Sequence, residues 1–89
     1  MRGMWIVRLA FTGDQRRLAA RPAHRERLVS LHADRVVRLA GPLAGDSGAV
    51  IVFDVPDRPT LDAVMAADPY FTTSGVTVKD VAEWEPFIT

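Results

Sequence analysis

Apolar positions alternate at the start of the chain, where Trp5, Val7, Leu9 and Phe11 recur at period two through "MWIVRLAF" (residues 4–11). That spacing, rich in aromatic and branched side chains, predicts a strand with one buried face. The pattern becomes helical in "TGDQRRLAARPAHRERLVSLHADR" (12–35). Pro22 suits the first turn of a helix, where its missing N–H costs nothing, so a helix is expected from there to about His32. The preceding "GDQRRLAA" reads as a loop or a separate short helical turn. "VVRLAGPL" (36–43) is a second strand, "AGDSG" a tight hairpin connection, and "AVIVFDV" (49–55) a third and most apolar strand. "PDRPTLDAVMAAD" (56–68) is a second helix, capped by Asp57 or Thr60, with Leu61, Val64 and Met65 on one face. A turn, "PYFTTSG", leads into the last strand, "VTVKDVAEW" (76–84).

The order β-α-β-β-α-β, with right-handed crossovers, places both helices on one face of a four-stranded antiparallel sheet. The expected class is α+β, a ferredoxin-like single domain over residues 1–89. The helix-covered face takes Trp5, Val7, Leu9 and Phe11 with Val37, Leu39, Ile51 and Phe53, all apolar. The opposite face carries Met4, Ile6, Val36, Val50 and Val52, interspersed with Arg8, Arg38, Asp54 and Lys79. No element remains to cover that second face. Five aliphatic side chains left wet forgo about 1.5–3 kcal/mol each, and such a patch marks an association surface. A homodimer through the open sheet face is expected. The alternative is a monomer with a wet sheet, which antiparallel sheets tolerate.

Composition narrows the partners. The chain of 89 residues has 11 basic and 11 acidic side chains, which speaks against a nucleic-acid or anionic-membrane binder. There is no cysteine, so disulfides, thiolate nucleophiles and cysteine-held metals are excluded. With only His24 and His32 as imidazoles, a zinc site within one chain would lean on carboxylates. No stretch approaches the roughly 18 apolar residues of a membrane span. The opening "MRGMWIVRLAF" lacks the marks of a signal peptide, so a cytoplasmic protein is expected. No metal, flavin, nicotinamide or phosphate-loop signature is present.

Two short stretches carry the candidate chemistry: "RPAHRERLVSL" and "MAADPYF". His24 shares an inward helical stripe with Leu28 and Leu31, and Asp68 stands where the second helix ends. If the two meet, the carboxylate holds one imidazole nitrogen and raises the basicity of the other. The plainer alternative is a core histidine and an aspartate that starts a turn before proline. Arg21, one turn before His24, could meet an anionic substrate group or simply be solvated. Tyr70 and Phe71 are either an aromatic wall beside Asp68 or a core plug. Trp5 reads as core, Gly41 and Pro42 as shaping a strand end, Ser47 as part of a turn, and His32 as an exposed helix-end residue.

These stretches, with "AGPL" before the hairpin and "MAADPYFTTSGV" after the second helix, resemble the YciI-like (YCII-related) family of small dimeric α/β-barrel proteins. The order and spacing match over nearly the full length. The resemblance implies that His24 and Asp68 correspond to the family's hallmark pair, regarded as a candidate catalytic dyad. Two departures stand out: the Arg-rich "GDQRRLAA" and a tail after Trp84 that differs from a Pro-Trp ending. Both bear on the mouth of a pocket, and so on the ligand.

The leading expectation is a small cofactor-independent enzyme of lyase or isomerase type. His24 is its general acid/base, Asp68 orients it, and Arg21, Tyr70 and Phe71 are substrate contacts. The competing expectation is a non-catalytic metabolite-binding or regulatory module in which the same pair is a strut. A cofactor-free monooxygenase is a third possibility, but it needs a substrate that itself activates oxygen.

Overall fold

The structure, a computed structural model, describes residues 3–89. Strand β1 spans Met4–Phe11, helix α1 Arg16–Ala33, β2 Val37–Pro42, β3 Gly48–Asp54, α2 Arg58–Ala66 and β4 Val76–Trp84. Single 3-10 turns at Ala44–Asp46 and Pro69–Thr72 fill the β2–β3 and α2–β4 connections. The sheet order is β2-β3-β1-β4, with every pairing antiparallel. The fold is thus α+β with βαββαβ order.

One sheet face forms the core. Trp5, Val7 and Leu9 of β1 and Ile51 and Phe53 of β3 are buried there with Leu61 of α2. Leu28 and Leu31 of α1 and Val64 and Met65 of α2 pack onto this layer, as their helical spacing requires. Asp57 caps α2, its Oδ1 accepting the Thr60 N–H at 2.8 Å. Gly48 is needed where β3 begins, because a Cβ there would stand 2.1 Å from the Leu9 carbonyl oxygen.

Three expectations are corrected. Helix α1 begins at Arg16, not at Pro22, which lies in its interior. The start is set by Asp14, whose Oδ1 accepts the Arg16 N–H at 2.9 Å while its side chain pairs with the Arg16 guanidinium. Local bonds from Asp14 thus open the helix two turns early, against the proline's preference for a first turn.

Val36, expected on the open face, instead packs against the core. Arg35 adopts φ 64°, and the N–H groups of Arg35 and Val36 donate to the carbonyls of His32 and Leu31. This is a Schellman ending of α1, which folds the residue after the left-handed one back toward the helix.

Leu39 is the third. It was expected under the helices but is 67% exposed. Val37 pairs with Phe53, yet Leu39 pairs with Val52, so Arg38 is an extra residue in β2. A one-residue bulge moves every later side chain to the other face. Ala40 consequently takes the place opposite Ile51, and Leu39 joins the open face.

That open face is also drier than the alternation suggested. Met4 and Val52 are buried among their own neighbours, and Ile6 and Val50 are half-buried. Leu39 and Trp84 are its exposed apolar members. No helix among the described residues is long and apolar enough to cross a membrane.

Candidate functional site

His24 is the ninth residue of α1 and the one buried residue of that helix. The early start of α1 therefore carries it to mid-helix, not to a first turn. Asp68 follows α2 as the cap of the turn Pro69–Thr72, where its Oδ1 accepts the Tyr70 N–H at 3.0 Å. Its other oxygen, Oδ2, lies 2.6 Å from His24 Nδ1. Two residues 44 apart in sequence thus meet in a bond whose partners are 7% and 5% exposed. A carboxylate held by a backbone amide on one side accepts the Nδ1 proton on the other. That selects the tautomer whose Nε2 keeps its lone pair.

Aromatic rings hold the imidazole in place. Tyr70 stacks on it with centroids 3.9 Å apart and planes 12° from parallel. Phe71 meets it edge-on at 5.5 Å. Burial holds the His24 pKa below its ordinary 6.5. The charges of Arg25 and Arg21 act the same way, while the hydrogen bond and charge of Asp68 oppose them. The ring is therefore neutral near pH 7, and its free nitrogen is a base.

A second cluster lies above the dyad. Arg21 Nη2 contacts both oxygens of Asp46 at 3.0 Å, and Arg17 Nη1 contacts Oδ2 at 3.2 Å. Both guanidinium groups lie over the Phe11 ring, at 4.7 and 5.5 Å from its centroid. The Tyr70 phenol, followed by Asp46, raises the Arg21 pKa, and Arg21 in turn lowers that of Asp46. Asp46 reaches α1 because the hairpin tip turns through two left-handed residues, Gly45 at φ 79° and Asp46 at φ 57°. Glycine takes that conformation freely, and aspartate more readily than most residues. The tip is thus tied to the helix and, through Arg21, to the ring that stacks on His24.

Beside the dyad a cleft of about 650 Å³ opens between α1 and β2. His24, Tyr70 and Arg21 stand on its wall, whereas Asp68 and Phe71 lie behind it. Trp5 is in the core, its indole N–H donating to the Val55 carbonyl at 3.3 Å. Gly41, Pro42 and His32 also border the cleft. Ser47 lies in the hairpin connection, outside the cleft lining. Among the described residues no three histidine, aspartate or glutamate side chains gather as metal ligands would.

Arg25, Arg38 and Asp46 were missed as site residues. Arg21, Arg25, Leu28 and His32 follow one another by four, three and four, a stripe that could have been read from the sequence. Asp46 carried no such signal, since its partners are 25 and 29 residues away and "AGDSG" reads only as a turn.

Residues 4–85 match the family profile of the YCII-related domain. No curated protein matches the chain.

Proposed function

The chain belongs to the YCII-related family, and on that footing we propose that it is a small cofactor-independent enzyme in which His24 transfers protons on a small organic substrate. The reaction is of lyase or isomerase type. The observation that carries this reading is the 2.6 Å bond from His24 Nδ1 to Asp68, buried at the wall of a cleft. Asp68 orients the ring and stabilises the imidazolium that forms when Nε2 accepts a proton. Nε2 takes that proton from a C–H next to a carbonyl or phenol, then returns it elsewhere on the carbon skeleton or to a leaving group. Tyr70 fixes the plane of the ring, and Arg21 compensates negative charge that develops on the substrate.

A non-catalytic metabolite-binding module is the rival reading, favoured by how thoroughly the pair is packed. In that case the imidazole is a strut and need not titrate. Long-range proton–nitrogen NMR of the imidazoles separates the two, from about pH 4 to about pH 8. The enzyme reading expects Nε2 to be unprotonated near neutrality and to titrate below 6.5. Asp68→Asn removes the group that supports the imidazolium, so the His24 pKa falls further. A ring that never titrates, or a pKa unmoved by Asp68→Asn, refutes the dyad. In a turnover assay, His24→Gln lowers kcat by about 10²–10⁴-fold with the fold retained.

We further propose that a second copy of the chain covers the open sheet face, where Leu39 and Trp84 are exposed.

A further inference from the structure

The lining of the cleft is sorted by charge. Its α1 wall carries Arg21, Arg25 and His32, and Arg38 stands at the β2 bulge on the other side. No aspartate or glutamate lines it among the described residues. In a chain with 11 basic and 11 acidic side chains this segregation is local and owes nothing to net charge. The floor between these arginines is apolar, built from Leu28, Val37, Ala40 and Ile51. Low-dielectric walls lined by one sign of charge concentrate ions of the other sign.

Two of the three arginines already have carboxylates. Arg21 is held by Asp46 at 3.0 Å, and Arg38 reaches Asp54 at 3.4 Å. Arg25 makes no ion pair among the described residues, yet it is near enough to act on the charge of His24. Arg25 and His24 both line the cleft, so a group bound to the guanidinium shares that space with the imidazole. A guanidinium in this position presents a planar fork of donors that matches a carboxylate. The volume falls in the range of small-ligand sites and leaves room for a molecule of one ring with a short side chain.

From these features we infer that the cleft takes a small organic acid whose carboxylate is held by Arg25 and whose apolar body lies on the Leu28–Ile51 floor. This rests on the reading of His24 as the base of the site and names the substrate class for it. Binding the carboxylate at Arg25 brings a neighbouring C–H of the acid to Nε2. When that proton moves to Nε2, the C–H electron pair passes into the adjacent carbonyl as an enolate. Arg25 then offsets the added negative charge.

The test uses phenylacetate and phenylpyruvate as acids and phenylacetamide as the neutral isostere. Binding is followed by amide and imidazole NMR shifts in wild type, Arg25→Met and Arg58→Met. Arg58 pairs with Asp62 on the surface of α2, away from the cleft, and serves as the control. The acids are expected to bind at least about tenfold more tightly than the amide, the worth of one charge-assisted contact. Arg25→Met should abolish that preference, and Arg58→Met should leave it intact. The inference is overturned if the amide binds as well as the acids. It is equally overturned if the preference survives Arg25→Met, or if neither acid gives a saturable shift. The two readings fail separately. An amide that shifts His24 as strongly as the acids removes the acid assignment and leaves the dyad. An acid that saturates the Arg25 signals without moving the His24 imidazole removes the dyad reading.

Discussion

A buried histidine with a carboxylate partner is pulled two ways, and at His24 burial prevails. Its pKa lies below 6.5 despite the 2.6 Å bond to Asp68. The folded chain therefore binds fewer protons at this residue than the unfolded chain does. The stability that follows is complete above about 6.5 and is lost as pH falls through that value toward the folded pKa. The carboxylates act in a lower window. Asp14 titrates at about 2 because of its bonds to Arg16, so its contribution is lost only below the ordinary 3.8. Urea midpoints measured from pH 7 down to pH 5 should thus fall in wild type and flatten in His24→Gln. An unchanged slope in the variant would remove His24 as the titrating group. Sequence spacing identified His24 as inward-facing and Asp68 as a turn residue, but it gave no distance between them.

At the level of elements, α1 shows local bonds overriding a local preference. Pro22 lacks the N–H that would bond to the Leu18 carbonyl, yet the helix runs through it because Asp14 opens it at Arg16. The cost of an interior proline is about 3 kcal/mol, and replacing it loosens the unfolded chain by about 1 kcal/mol. Pro22→Ala should therefore stabilise the protein by about 1–2 kcal/mol in urea titration. A lowered midpoint would mean that the helix needs the proline's bend. Strand β4 was legible to the residue, since Val76–Trp84 is bounded by Gly75 and the tail. Strand β2 was not. Its bulge at Arg38 depends on how the chain leaves α1 and pairs with β3, so alternation alone put Leu39 on the wrong face.

At the scale of the whole molecule, one sheet face is covered by helices and the other by no element among the described residues. Burial of Met4 and Val52 within one chain leaves less apolar surface for a second copy to cover, while Leu39 and Trp84 remain exposed there. Light scattering at low micromolar concentration should give twice the 9.8 kDa chain mass, and Leu39→Asp should halve it. A wild-type monomer at that concentration would rule out the second copy. The cleft belongs to this scale as well, because it exists only where the α1 stripe faces β2 across the core.

Periodicity alone was enough for the order of elements, for the β1 and β3 part of the apolar layer under the helices and for the helical stripe that includes His24. Those features follow from the repeat of each element, and the repeat is written in neighbouring residues. The His24–Asp68 bond and the Asp46–Arg21 tether arise between residues 44 and 25 positions apart. Such distances are set by helix starts, bulges and left-handed turns acting together, and only the folded chain resolves them.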